Sequence, residues 1–128
     1  MAYYFSKILD TSFDEAIRKV TDEFKKEGFG ILTDIDVQQT LKEKLNVDFR
    51  KYRILGACNP PFAYKALQLE NKIGTMLPCN VVVQELSEGK VEVVAIDPVA
   101  SMQAIENQDL REVAGQIQSK LKRVIDRL

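Results

Sequence analysis

The alternation of apolar and polar positions divides the chain into strands and amphipathic helices in mixed order. Residues 3–9 are rich in aromatic and β-branched side chains and predict a strand, stopped by Asp10-Thr11. Phe13, Ala16, Ile17, Val20 and Phe24 then recur at helical spacing, so 13–27 predicts an amphipathic helix. Ser12 with Glu15 makes a capping-box pattern at its start, and Gly28 supplies a left-handed residue at its end. Phe29, Ile31, Thr33 and Ile35 alternate as a second strand. Asp36 with Gln39 repeats the capping pattern ahead of a shorter helix carrying Val37, Leu41 and Leu45, which ends near Asn46.

Tyr52–Cys58 predicts a third strand, apolar enough on both faces to be largely buried. Asn59-Pro60 is a helix-start signal, because asparagine caps free amides and proline at the first helical position loses no needed N–H. Phe62, Ala63, Ala66, Leu67 and Ile73 give that helix its buried stripe, and Gly74 closes it. Cys79–Leu86 is a fourth strand, Ser87–Lys90 a hairpin loop and Val91–Asp97 a fifth strand. Asp97-Pro98 opens a short helical turn. Asp109 with Glu112 caps a last helix that keeps one apolar face from Leu110 to Leu128.

The hairpin demands an antiparallel pair, and long amphipathic helices need a sheet to bury against. The expected fold is therefore an α+β two-layer sandwich, a mainly antiparallel five-stranded sheet with helices on one face. The other sheet face carries Val82, Leu86, Val94 and Ile96, which favours a homodimer or another bound partner.

Composition narrows the functional classes. A length of 128 residues fits a single domain over 1–128. A net charge of −1 provides no global field for nucleic acid or an anionic membrane, so neither is an expected partner. No apolar run is long enough to span a membrane, and the first residues lack the basic region of a signal peptide. Two cysteines do not make a disulfide scaffold, so a reducing, cytoplasmic location is expected. The chain contains no histidine. Ser-His-Asp and Cys-His nucleophile pairs are thereby excluded within the chain, as are zinc sites built on imidazole.

Two matching motifs carry what chemistry there is: Cys58-Asn59-Pro60 and Pro78-Cys79-Asn80. Cys58 precedes a helix N-terminus, where amides and the helix dipole favour a thiolate. If the third and fourth strands pair antiparallel, the two cysteines approach each other at one sheet edge; if they are a parallel crossover pair, most of a strand separates them. The readings are a redox dithiol, a soft-metal site, a small-ligand pocket at the helix N-terminus, or two buried reduced core cysteines. The metal reading is the weakest, since two thiolates are too few ligands without histidine. Arg50-Lys51-Tyr52-Arg53 suggests phosphate contact but reads better as the solvated start of a strand. Lys120, Lys122, Arg123 and Arg127 offset the negative end of the last helix. Gly28-Phe29-Gly30 follows a helix and precedes a strand, the reverse of a nucleotide loop.

The run Leu55–Leu67 with its Cys58-Asn59-Pro60, followed by Ile73-Gly74 and Leu77-Pro78-Cys79-Asn80-Val81-Val82-Val83, resembles the domain-of-unknown-function 302 family. Thr40–Leu45 resembles the family's upstream segment, so the likeness spans nearly the whole chain. The resemblance implies a fold similar to the TATA-binding-protein half-repeat, with a curved antiparallel sheet backed by helices in a dimer. It also implies that the third and fourth strands are antiparallel. It implies no activity and no cofactor. The expected function is a small-ligand-binding or thiol-redox-sensing module at Cys58, Asn59, Cys79 and Asn80, and the alternative is a homodimeric structural or interaction module with no catalytic site.

Overall fold

Backbone pairing joins all five predicted strands into one sheet in the computed structural model, which describes residues 2–128. The strands are β1 (Tyr4–Leu9), β2 (Gly30–Asp36), β3 (Tyr52–Cys58), β4 (Cys79–Ser87) and β5 (Lys90–Ile96). Their order is β1-β5-β4-β3-β2, and every neighbouring pair is antiparallel. The helices are α1 (Phe13–Lys26), α2 (Val37–Leu45), α3 (Pro60–Leu69), the single turn α4 (Pro98–Ser101) and α5 (Gln108–Arg127). The expected α+β two-layer sandwich is the observed architecture.

One sheet face and the inner faces of α1 and α5 make the core. Val81, Val83, Val91 and Val93 alternate inward along the central hairpin and are fully buried, as are Val20 and Phe24 of α1 and Leu121 and Val124 of α5. Each such side chain contributes about 1.5–3 kcal/mol of burial free energy. The residues between them on β4 and β5, Val82, Val94 and Ile96, point to the other face and are only half-buried, and Leu86 is exposed. By contrast, α2 buries none of its residues and lies outside this core.

The ends of α1 follow the pattern closely. Ser12 Oγ accepts from the Glu15 amide at 3.2 Å, although the Glu15 carboxylate turns to Arg18 instead of back to the cap. At the other end Gly28 has φ 85°, its amide bonds Lys25 O, and the Phe29 amide reaches Phe24 O. The Phe24 and Phe29 rings meet edge-on at 5.3 Å, the apolar contact that accompanies such a left-handed stop. Asp36 caps α2 as expected, accepting from Gln39 N at 3.0 Å.

Three expected helix ends are corrected. The last helix is capped by Asn107, whose Oδ1 accepts from Leu110 N at 3.1 Å; Asp109, exposed in the first turn, has no capping role. Asn107 is a better cap because its extended backbone (φ −150°, ψ 108°) aims its side chain at the free amides. α3 ends at Leu69, and Gly74 lies inside a separate 3-10 turn, Ile73–Met76. Asn59 occupies the N-cap position of α3 but makes no side-chain cap bond.

Candidate functional site

The β3–β4 pairing is antiparallel and sets Ala57 opposite Cys79, so Cys58 lies one residue beyond that pair. Because β3 and β4 are central strands, the two motifs meet at one end of the sheet, not at its lateral edge. Both cysteines are free: Cys79 is buried and Cys58 half-buried. The alternation of strand side chains starts Cys58 and Cys79 on opposite sides of the pleat, yet both border the same cavity at the strand ends.

That cavity has a volume of about 270 Å³ and lies between this end of the sheet, α3 and α5. Its cause is a concentration of small side chains where large ones would fill the space. Ala57 and Cys79 on the sheet face Ala63 and Ala66 on α3 and Ala114 on α5. Ile117, Leu110 and Met102 close its inner side and are buried, whereas Leu32 and Leu67 also border it and are exposed to solvent. The predicted α3 stripe is corrected accordingly. Ala66 is buried, but Ala63 is half-buried and Leu67 is 43% exposed, because this face of α3 lines a space; Phe62, also half-buried, packs against the core with Lys120 beside its ring.

Two asparagines hold α3 as a wall of the cavity. At its start Asn59 Nδ2 donates to the carbonyl of Glu27, the residue that caps the end of α1, at 3.1 Å. At its end Asn107 Nδ2 donates to Leu69 O at 3.1 Å while the same side chain caps α5. Gly56 serves the same region. A methyl there would overlap Thr33 Oγ1 and come to 2.6 Å from Pro78 Cγ, so only glycine lets β2 and Pro78 close over β3.

The electrostatics are weak inside and strong outside. Burial, with a smaller contribution from Cys58, pushes the Cys79 thiol up to about 11, which keeps it protonated near neutrality. The α3 N-terminus offers little to an anion, since Pro60 and Pro61 have no N–H and Phe62 is left as its first donor. Of the four candidate site residues, Cys58, Asn59 and Cys79 border the cavity. Asn80 does not; it pairs with Gly56 on the alternate face and is exposed. Among the described residues, no three metal-ligating side chains come together.

The arginines of the basic clusters, with Lys120, are engaged within the fold. Arg50 stacks 4.4 Å over the Phe49 ring and donates to Gln84 at 2.9 Å, and Arg53 pairs with Asp34 at 3.1 Å. Lys120, Arg123 and Arg127 converge on Glu27, and Arg127 also reaches Glu23, so they clamp α5 to α1 rather than only meeting a helix dipole.

A two-layer α+β domain with a small apolar cavity at one end of its sheet is the class these features define. Residues 5–128 match the family model described as domain of unknown function DUF302, and the chain belongs to that family, as its paired Cys-Asn motifs suggested. A similar solved structure is the crystal structure of an uncharacterized conserved DUF302 protein from Bacillus stearothermophilus. It is 29% identical, with a TM-score of 0.91 over 99% of this chain and 98% of that one. No curated protein matches the chain. Among the described residues, no helix is long and apolar enough to cross a membrane.

Proposed function

We propose that this domain binds a small, mainly apolar molecule in the cavity bordered by Cys58, Asn59 and Cys79. The observation that carries this reading is the cavity itself, about 270 Å³ of space in an otherwise close-packed core. Its apolar lining with few polar groups is the usual make-up of a ligand site, and its size falls just below the usual range, which suits a small ligand. Thiol-redox sensing has the shared cavity of two free thiols in its favour, but a Cys79 thiol at about 11 works against it. The two unpaired thiols also support a reducing, cytoplasmic setting.

Titration with a small apolar fluorophore, 1-methylnaphthalene, tests the reading. Saturable binding with low-micromolar affinity is expected, weakened about tenfold by Ala63→Leu, which adds bulk at the half-buried rim. Reporter uptake that is absent, or indifferent to this substitution, would sink it.

A second reading, homodimerisation without a ligand, is favoured by the uncovered sheet face. Tyr4, Val82, Val94 and Ile96 lie together there beside the Gln84–Glu92 hydrogen bond of 2.8 Å. Sedimentation of the native chain and of Val94→Lys discriminates: a dimer that the substitution splits supports this face as the interface, and a monomer removes it.

A further inference from the structure

We infer that the ligand is a single-chain amphiphile, whose alkyl chain of about ten carbons enters the cavity while its polar head stays in water. The inference rests on the cavity being a ligand site and names the class of molecule that fits it. The two sides of the cavity differ. Met102, Leu110 and Ile117 close the inner side and are buried, whereas Leu32 and Leu67 on its border are 68% and 43% exposed. Leu32 owes its place to a bulge in the edge strand: Ile31 stands opposite Ala57 and Thr33 opposite Gly56, so Leu32 has no partner on β3. Bulges of this kind bend a strand and re-aim a side chain. A molecule held wholly inside the cavity leaves both leucines bare. A chain that runs out past them covers both, and this singles out an elongated ligand.

Length and width agree with one chain. Leu110, Val113, Ala114 and Ile117 present about two turns of α5 to the cavity, a wall of about 10 Å. A volume of about 270 Å³ along that wall is a slot about 5 Å across. Since about 150 Å³ of apolar cavity holds the six carbons of benzene, 270 Å³ takes about ten. The position of the head follows from the lining, which contains no charged side chain. A charged head drawn inside would lose its water with nothing to replace it, a cost far above the gain from burying more carbon. The head therefore stays beyond the two leucines, and the sign of its charge goes unread.

Calorimetric titration of the native protein, below micellar concentrations, with hexanoate, octanoate, decanoate, tetradecanoate and decyltrimethylammonium tests both parts. Affinity should rise about fourfold per methylene as far as decanoate and then level off. Decanoate and decyltrimethylammonium should bind within about threefold of each other, because a head left in water is screened from the charges of the protein. Leu32→Ser, at an exposed edge position where folding is not at stake, should weaken decanoate about fivefold and leave 1-methylnaphthalene unchanged. Binding of 1-methylnaphthalene without either ten-carbon amphiphile, or binding of only one of the two, overturns the amphiphile while leaving the cavity a ligand site. Affinity that ignores chain length overturns the chain in the slot. An equal loss of decanoate and 1-methylnaphthalene in Leu32→Ser, or a loss of neither, overturns the role of the mouth. Cosedimentation of the native protein with phosphatidylcholine vesicles would overturn a free amphiphile in favour of a lipid still in its bilayer. Failure of every ligand, 1-methylnaphthalene included, overturns the ligand reading itself.

Discussion

Asn59 donates from Nδ2 to the main-chain oxygen of Glu27 across 3.1 Å, joining the start of α3 to the end of α1. The bond replaces the cap that an asparagine at this position ordinarily provides. It is possible because Gly28 brings the turn so close that a Cβ there would stand 3.2 Å from Asn59 Nδ2. Asn59→Ala therefore leaves the Glu27 carbonyl without its partner and should cost about 1–2 kcal/mol. Urea denaturation followed by circular dichroism measures this, and an unchanged midpoint would show the bond to be dispensable.

Gly56 is the tightest point of the sheet. Gly56→Ala forces a methyl against Thr33 Oγ1 and Pro78 Cγ, and overpacking of this kind costs about 1–3 kcal/mol. Thr33→Ala removes one of the two obstacles, so the double variant should recover a measurable part of the loss. A double-mutant cycle that closes additively would mean that the strain lies elsewhere.

How much of this was legible beforehand depends on whether the signal was local. The five strands and the long helices were readable because alternation and helical spacing are carried by neighbouring residues, and the Ser12 and Asp36 caps lie beside the amides they serve. Asn59 and Asn107 were harder: each has a bonding partner 32 or 38 residues away, Glu27 and Leu69, which no window along the chain displays. The two cysteine motifs meet at the end of the sheet that holds the cavity, but the cavity itself was not legible. It arises where Ala57 of β3, Ala63 and Ala66 of α3 and Ala114 of α5 face one another. The available signal was the smallness of those residues at positions periodicity assigned to the core, and it becomes a space only once the register is known. Leu67 read as buried for the same reason.

The α1–α5 clamp makes stability depend on acid. Arg123 first, then Arg127, holds the Glu27 carboxyl down at about 2, and Lys26 with Arg127 lowers that of Glu23. A carboxyl lowered by folding stabilises the native state above its unfolded value, and that contribution fades as pH falls through the folded value. The stabilisation should thus be complete above about pH 5 and be lost between about pH 4.5 and 2, by roughly 1–2 kcal/mol after solvent screening. Arg123→Gln should flatten the acid limb of a plot of denaturation midpoint against pH. An equally steep limb in that variant would assign the acid sensitivity to other carboxylates.

The two thiols should separate in reactivity, and this bears directly on redox sensing. Cys79 is 6% exposed and its thiol is pushed up to about 11, so at pH 8 roughly one molecule in a thousand carries the thiolate that reacts. Cys58 is half-buried at the cavity rim and is the sulfur an alkylating reagent can approach. Treatment of the native chain with iodoacetamide at pH 8 should modify Cys58 well before Cys79, and denaturant should abolish the difference. Naphthalene or another cavity ligand should slow Cys58 modification by occupying the space beside it. A rapid, stoichiometric disulfide under mild oxidant would show that Cys79 can attack an activated Cys58 despite its burial, and redox sensing would then displace ligand binding as the better reading of this site.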